Sequence, residues 1–393
     1  MFANLPTQPD DKILALVAAF RADPRDQKID LGVGVYRDAT GLTPVMQAVK
    51  DAEHALWESQ DSKAYVALTG DPAFADAMAG LVLGGTVPTD HIAAAATPGG
   101  TGAIRQALEL IKLGAPGATV WVSNPTWPNH PSIIKYLDMP MREYRYFDPA
   151  TCAVDFDGMI KDLKQIPAGD VVLLHGCCHN PTGANLNMSQ WAEVVSVLQS
   201  TGAIPMIDIA YQGFGDGLEA DAQATQLVAQ NLPETIIAAS CSKNFGIYRE
   251  RTGIVLAVSN TPESRGLTQA NLAFLNRQNF SFPPDHGARL VTMILNDDTL
   301  KASWVAELEG IRTSMLGLRE HLAQALQQAT GSDRFGFVAQ HRGMFSRLGL
   351  SAEQVAKLRQ DAGVYMVGDS RINIAGLNTN TVPILAQAIA QVV

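Results

Sequence analysis

Residues 236–251 are IIAASCSKNFGIYRER, an apolar run followed by a polar turn that contains one lysine. The run Ile236–Ser240 predicts a short buried strand, because it is apolar throughout and polar residues follow it. Lys243 comes directly after the end of that strand. Burial there would lower the pKa of its amine and make the amine usable for imine chemistry. An ordinary charged surface loop is the alternative that this spacing alone leaves open.

The same turn carries groups that suit a phosphate monoester. Ser240 and Ser242 offer hydroxyls, and Arg251 offers a guanidinium eight positions after Lys243. Arginine and hydroxyl donors together bind phosphate oxygens well. A second candidate anion site is Gly99-Gly100-Thr101-Gly102-Ala103, which we expect to precede a helix, because glycines and a helix N-terminus favour a bound anion. A plain glycine turn is the alternative for this second segment.

Outward from Lys243, apolar runs alternate with segments of helical spacing. Alternation of this kind predicts parallel βαβ units whose sheet is covered on both faces. Ligands of such sheets bind beyond the carboxyl ends of the strands. The predicted strands are Thr119–Ser123, Val171–His175, Ile204–Asp208 and Ile236–Ser240, and the predicted helices are Ala103–Lys112 and Trp191–Gln199.

The two ends of the chain predict a second, smaller α/β domain. A chain of 393 residues is longer than one core usually serves. We expect an N-terminal arm over 1–12, a small domain over 13–43 and 309–393, and a large domain over 44–308. Its predicted elements are helix Lys12–Phe20, strand Ile29–Val35, a long helix from Leu308 to Gln328, strands Phe335–Val338 and Phe345–Leu348, and a terminal helix from Val382.

Composition excludes several classes of partner. The net charge is -10 and no Lys/Arg run occurs, which argues against nucleic acid or an anionic membrane. No apolar window is long enough for a membrane span, and the N-terminus has no secretory pattern, so the cytoplasm is the expected compartment. The four cysteines form no disulfide framework, and we expect reduced thiols.

Polar residues at the predicted strand ends are candidates for chemistry. Asp208 ends an apolar strand, so its carboxylate needs a cation, which a pyridinium nitrogen or a structural arginine would provide. His175-Gly176-Cys177-Cys178-His179 invites a zinc site, but the spacing is wrong, so we predict no metal. Arg371 could bind a carboxylate or pair with a surface acid. Trp127 could stack on a planar ring or serve packing alone.

Five segments in this order resemble class I aminotransferases of the aspartate and aromatic amino acid group, a fold-type-I family that depends on pyridoxal phosphate. The similarity runs from about Ile29 to the C-terminus. It implies a large domain with a mostly parallel seven-stranded sheet between helices, a smaller α/β domain, and a homodimer with shared active sites. The segments are Asn124–His130, His175–Gly183, Asp208–Phe214, Ser240–Arg251 and Arg371–Gly376.

The resemblance also implies a role for each matching residue. Lys243 resembles the lysine that carries the cofactor and moves the α-proton, and Asp208 the acid beside the pyridine nitrogen. Tyr211 and Asn180 resemble the pair at the phenolic oxygen, and Trp127 the stacking ring. The remaining matches are phosphate-binding (Gly99, Gly100, Thr101, Ser240, Ser242, Arg251, and Tyr65 toward the neighbouring subunit) or substrate-binding (Gly34, Trp127, Asn180, Arg371 for the α-carboxylate, and Arg277 for a distal carboxylate).

Two positions depart from the family pattern. Gly99 stands where some relatives have serine, and Phe282 where aspartate-specific members have asparagine. The aromatic Phe282 favours aromatic or dual specificity, with tyrosine, phenylalanine, tryptophan and aspartate as donors and 2-oxoglutarate as acceptor. Three alternatives remain: aspartate as the main donor, a different pyridoxal chemistry such as β-lyase or decarboxylase action, and a non-catalytic amino-acid-binding protein on the same scaffold.

Overall fold

The computed structural model describes residues 1–8, 11–38 and 40–393. It divides into two compact units, a small unit of Met1–Thr43 with Met315–Val393 and a large unit of Pro44–Ser314. The small unit includes the predicted arm. Pro9 and Asp10 of the arm, and Ala39 further along the chain, lie outside the described residues. The second boundary falls at 315 rather than 309, inside the continuous helix Asp298–Thr330.

The bounds of the described elements are as follows. The strands are β1 Ile29–Asp30, β2 Ile92–Pro98, β3 Val120–Asn124, β4 Met141–Arg145, β5 Phe147–Asp148, β6 Ala153–Val154, β7 Val171–His175, β8 Ile204–Ile209, β9 Thr235–Ser240, β10 Thr252–Val258, β11 Phe345–Arg347, β12 Val364–Tyr365 and β13 Arg371–Asn373. The helices are α1 Lys12–Ala22, α2 Gln47–Ser59, α3 Pro72–Leu83, α4 Gly99–Gly114, α5 Asn129–Tyr136, α6 Phe156–Leu163, α7 Met188–Thr201, α8 Leu218–Asn231, α9 Pro262–Asn279, α10 His286–Asn296, α11 Asp298–Thr330, α12 Phe337–Gln340, α13 Ala352–Ala362 and α14 Thr381–Ala390.

The described part of the large unit contains a seven-stranded sheet in the order β2-β10-β9-β8-β7-β3-β4. Only β10 runs against its neighbours, while β4, β3, β7, β8 and β9 pair in parallel. Strands β7 and β9 are almost wholly buried, as expected when helices cover both faces of a parallel sheet. The predicted mostly parallel α/β sheet is therefore confirmed, and its carboxyl ends carry the candidate residues.

Helix α4 begins earlier than the sequence predicted. The glycines of residues 99–102 form its first turn instead of preceding it, and Gly99 takes the left-handed φ of +71° at its start. Glycine is a poor helix former, so the glycine run was interpreted as a turn. The consequence is that the backbone of Gly99 and Gly100 lies directly at a helix N-terminus.

The small unit contains two short described sheets, β1 with β12 in parallel and β11 with β13 antiparallel. Its core includes Leu31, Leu322 and Ile372. The predicted strand Ile29–Val35 is shorter, ending at Asp30. The predicted strand Phe335–Val338 is wrong, because the segment turns locally: the amide of Val338 donates to the carbonyl of Phe335, and helix α12 already begins at Phe337.

Of the helices in the described ranges, none is both long enough and apolar enough to cross a bilayer.

Candidate functional site

Lys243 lies just beyond the carboxyl end of β9, as predicted, in a half-buried position. Its Nζ is 4.9 Å from the centre of the Tyr211 ring. Burial is the main cause that lowers the pKa of the Lys243 amine; the Arg251 charge adds to this effect and the Asp208 charge opposes it. A lowered pKa leaves more of the amine unprotonated, which is the form that attacks a carbonyl carbon.

Asp208, near the end of β8, is paired with a histidine. His130 Nε2 lies 3.1 Å from Asp208 Oδ2, and the His130 side chain is fully buried. Burial raises the pKa of Asp208, but the hydrogen bond from His130 and the charges of His130, His175 and Lys243 outweigh it, so the net pKa is lowered. The structural arginine pair, one of the two alternatives, is not what the described residues place here.

A chain of hydrogen bonds continues behind this pair. The Thr126 hydroxyl lies 2.8 Å from His130 Nδ1 and 3.2 Å from His175 Nε2. Burial, followed by the His130 charge, lowers the pKa of His175 from 6.5 to about 3, so this imidazole is neutral at pH 7. With a proton on Nε2, His130 donates to Asp208, and Nδ1 faces the Thr126 hydroxyl. The chain thereby fixes the ring opposite Asp208 and keeps the carboxylate ionised.

Asn180 presents an unsatisfied polar atom near the end of β7. The residue is buried, and its Oδ1 has no hydrogen-bond partner among the described residues. Tyr211, which was predicted to act with it, is also buried. A buried amide oxygen without a partner is costly unless a ligand completes it.

The predicted phosphate segments come together at the N-terminus of α4. A Cβ placed on Gly99 would lie 2.5 Å from Arg251 Nη2, and one on Gly100 would lie 2.9 Å from Ser240 Cβ. The Ser242 amide donates to Ser240 Oγ over 3.3 Å. Backbone N–H groups, a hydroxyl and a guanidinium therefore lie close together at this helix N-terminus, an arrangement that suits a bound anion. Thr101 is exposed on the first turn of this helix.

Trp127 contacts His130, the residue that is hydrogen-bonded to Asp208. Its ring meets the His130 ring edge-on, with centroids 5.2 Å apart. The half-buried indole thus lies at the carboxyl edge of the sheet.

Tyr65, Phe282 and Arg277 form a separate cluster in the large unit. The Tyr65 and Phe282 rings stack with centroids 4.7 Å apart, and the Arg277 guanidinium lies 5.8 Å from the Phe282 ring centre. Arg277 Nη1 also donates to Ser281 Oγ over 2.6 Å. The Tyr65 side chain is 84% exposed, so it projects from this chain instead of packing within it.

Arg371 and Gly34 belong to the small unit, where Phe345 joins them. The buried Arg371 guanidinium lies 4.5 Å from the centre of the Phe345 ring and donates to the Gly32 carbonyl. A Cβ on Gly34 would approach Phe345 Cζ to 2.9 Å, so a side chain there needs that ring to move. Asn373 Nδ2 donates to the Val33 and Val35 carbonyls on either side of Gly34.

Sequence reasoning assigned no role to His130, Phe345 or Asn373. His130 and Asn373 lie inside two of the five segments that resemble the family, Asn124–His130 and Arg371–Gly376. The position of His130 three residues after Trp127 could have suggested that it is buried near the site. Phe345 offered no signal beyond an apolar residue in a predicted strand. Its contact with Arg371 depends on the β11–β13 pairing.

Comparison with known proteins finds aminotransferases by family, by sequence and by structure. Residues 26–389 match the family described as aminotransferase class I and II. The chain is 59% identical over 392 residues to the aromatic-amino-acid aminotransferase of Paracoccus denitrificans and 42% identical over 397 residues to the aspartate aminotransferase of Escherichia coli K12, covering 100% of each chain. A solved aromatic amino acid aminotransferase with 3-indolebutyric acid superposes with a TM-score of 0.98 at 59% identity, again over 100% of both chains.

Proposed function

This chain belongs to the class I and II aminotransferase family, and from that premise we propose that it transfers the amino group of tyrosine, phenylalanine, tryptophan and aspartate to 2-oxoglutarate. The enzyme is a pyridoxal-phosphate-dependent aminotransferase. The observation that carries the proposed donor range is the contact of the Phe282 ring with both Tyr65 and Arg277, because an aromatic ring beside the arginine favours partners other than a second carboxylate.

The residues present fit the cofactor. The Oδ1 atom of buried Asn180 has no hydrogen-bond partner among the described residues, so a ligand could complete it. At Gly99 the absence of a side chain leaves space that a Cβ would fill. Asp208 is an ionised carboxylate on a buried strand, suited to a protonated ring nitrogen. Pyridoxal phosphate, when bound, supplies an aldehyde that condenses with amines and a protonated ring that withdraws electrons from the reacting carbon.

Lys243 is proposed to act first as the covalent attachment point and then as the base. With the cofactor in place, the Lys243 amine would be the base that removes the substrate's α-proton and the acid that gives this proton up to the carbon on the other side of the transferred nitrogen. The lowered pKa of Lys243 supports this role, because it leaves more of the amine in the neutral form that can accept a proton. Tyr211, 4.9 Å away, borders the space in which that amine moves.

Asp208 is proposed to hold the proton on the ring nitrogen. Its carboxylate stays ionised because His130 donates to it and the environment keeps its pKa low. The Thr126 and His175 contacts keep His130 in the orientation that makes this donation. Trp127, edge-on to His130, is proposed to cover the ring face.

Arg371 is proposed to bind the α-carboxylate of every substrate. Its guanidinium is buried, rests on Phe345 and is oriented by the Gly32 carbonyl, so little side-chain freedom is lost on binding. Gly34 is proposed to contact the substrate through its backbone. Arg277 is proposed to bind the distal carboxylate of aspartate, glutamate or 2-oxoglutarate through a two-point fork.

A homodimer with shared active sites is part of the proposal, and so is a cytoplasmic location. Tyr65 supports the dimer, because an 84% exposed aromatic ring stacked on Phe282 is better explained by a covering second copy. In that dimer the Tyr65 hydroxyl would reach the partner's phosphate, and Arg277 the partner's substrate.

One steady-state panel tests the donor range. kcat/KM is measured for tyrosine, phenylalanine, tryptophan and aspartate with 2-oxoglutarate, and the oxo acid products are identified. Turnover of all four donors with comparable kcat/KM supports the proposal. Aspartate turnover alone would make aspartate aminotransferase the main activity, the second candidate favoured by 42% identity to such an enzyme. Products that have lost carbon would reject transamination, and binding without product would identify a non-catalytic protein.

A further inference from the structure

Cys177 and Cys178 form a pair of adjacent thiols, after the end of β7, that the proposed reaction does not use. Cys177 is half-buried and Cys178 is buried. The two side chains are hydrogen-bonded to each other. Their sulfur atoms and one carboxylate oxygen of Asp221 all lie within 4.8 Å of one another. Three heteroatoms from two separate segments therefore converge on one point.

The carboxylate of Asp221, which lies beside the two thiols, is fixed by backbone hydrogen bonds. Asp221 accepts hydrogen bonds from the amides of Gly213, Gly215 and Asp216 over 2.8 to 2.9 Å. One turn further along α8, the buried Thr225 Oγ1 has no hydrogen-bond partner in the described part of the chain. That hydroxyl would lie 2.8 Å from a Cβ on Gly176, the residue preceding the pair. An unpartnered hydroxyl thus faces the same loop as the thiols.

The protonation state of the Cys177 and Cys178 thiols determines which kind of ligand they can bind. The hydrogen bond with Cys178, burial and the nearby charges of Asp221 and Asp208 raise the pKa of Cys177 well above its usual range. A divalent cation requires both thiols as thiolates, which together with Asp221 would leave a net negative charge in a poorly solvated place. A trivalent arsenical reacts with neutral thiols and gives a neutral product, so it avoids this penalty.

We propose that Cys177 and Cys178 are a chelating site for trivalent organoarsenicals. Two S–H bonds and two As–OH bonds break, two As–S bonds form, and two water molecules leave. Neither arsenic nor sulfur changes oxidation state, so no oxidant or reductant takes part. Arsenic, like other soft centres, prefers sulfur ligands over the oxygen and nitrogen groups of the protein.

Binding at this site reaches the candidate active site through Tyr211. The Cys178 thiol donates to the Tyr211 carbonyl over 3.9 Å, and the Tyr211 ring lies 4.9 Å from Lys243 Nζ. Chelation replaces the Cys178 thiol hydrogen and removes that contact. Loss of activity on chelation follows only if the proposed function is correct, whereas the chelation itself does not depend on it.

Phenylarsine oxide is the probe, added to the full-length holoenzyme and followed by intact mass. We expect one adduct per chain, stable to excess monothiol and removed by a dithiol. Cys177→Ala and Cys178→Ala should each weaken the apparent affinity by about a hundredfold, since the second, intramolecular thiol is lost. Cys152→Ala, which removes a buried cysteine outside this cluster, is the matched control and should keep the adduct. An adduct that forms with undiminished affinity in either variant of the pair would overturn the proposal.

A second experiment uses the unmodified protein, so its result does not depend on whether the cysteine variants fold. The holoenzyme is alkylated under denaturing conditions with and without prior phenylarsine oxide, and the peptides are mapped. Selective protection of Cys177 and Cys178 supports the site. Absence of any adduct, or protection of Cys152 or Cys241 instead, contradicts it. Neither readout uses aminotransferase activity, so this result and the donor panel fail independently.

Discussion

His130 Nε2 lies 3.1 Å from Asp208 Oδ2, and the His130 ring is fully enclosed by protein. A carboxylate on a buried strand that accepts from an enclosed imidazole keeps its charge without an arginine. The pairing therefore links a histidine on α5 to the acid that we propose holds the cofactor's ring nitrogen.

Replacing His130 by phenylalanine should weaken catalysis and stability together. The substitution keeps a ring but removes the donor, and leaving a buried charged group unpaired costs about 1 to 3 kcal/mol. kcat/KM for tyrosine should fall by roughly tenfold or more, and the free energy of unfolding in urea should fall. His130→Asn keeps an N–H donor and should lose less of both. Equal behaviour of the two variants would contradict a role through the hydrogen bond.

Replacing Gly99 by serine should weaken binding of pyridoxal phosphate. A Cβ at this position meets Arg251 Nη2 at 2.5 Å, and the φ of +71° costs a side-chain-bearing residue roughly 1 to 2 kcal/mol. The affinity for the cofactor, titrated by absorbance, should fall about tenfold.

Gly310→Ala is the control for the serine substitution. No atom lies within 4 Å of a Cβ there, and the position is inside helix α11, so alanine should stabilise the protein slightly. If Gly99→Ser binds the cofactor as tightly as the parent enzyme, the phosphate site that we propose at the start of α4 is wrong.

Replacing Arg277 by leucine should separate the two donor classes. Loss of a charge-assisted fork to a distal carboxylate costs about 1.5 to 3 kcal/mol, or roughly 10- to 100-fold in kcat/KM for aspartate and glutamate. Phenylalanine and tyrosine have no such carboxylate and should be nearly unaffected as donors. Arg277→Lys keeps the charge without the fork and should fall between. Equal losses for all donors would remove the proposed role.

His175 should make the protein sensitive to acid. Its pKa is about 3 when folded and 6.5 in the unfolded reference. Between these values the unfolded chain binds the proton and the folded chain does not. Stability is therefore lost as pH falls from 6.5 toward 3, by at most about 1.4 kcal/mol per pH unit from this group.

His175→Gln should flatten that dependence. The measurement is the free energy of unfolding at several pH values between 4 and 7, compared as slopes so that any uniform destabilisation cancels. His54→Gln, at an exposed histidine far along the chain from this cluster, is the matched control. An unchanged slope in His175→Gln would show that another group titrates in this range.

The sequence predicted the strands of the large unit well because parallel strands are buried on both faces. Val171–His175 matched in full and the run at 236–240 within one residue. Since the carboxyl ends of such strands share one edge, the placement of Lys243, Asp208 and Asn180 at that edge followed from the same pattern.

What the sequence did not predict depends on contacts between distant segments. The first turn of α4 contains three glycines, which propensity alone assigns to a loop, while the adjacent Ser240 and Arg251 side chains lie close to the backbone of Gly99 and Gly100. The pairing of His130 with Asp208 joins residues 78 positions apart. Phe335–Val338 has strand-forming side chains, yet local turns satisfy its backbone.

Reduction of the holoenzyme with borohydride, followed by peptide mapping, tests the central claim most directly. We predict that the phosphopyridoxyl group is fixed on the Lys243 side chain alone, and that Lys243→Ala shows neither the visible absorbance nor the label. Label on another lysine, or a coloured and active Lys243→Ala protein, would contradict the account.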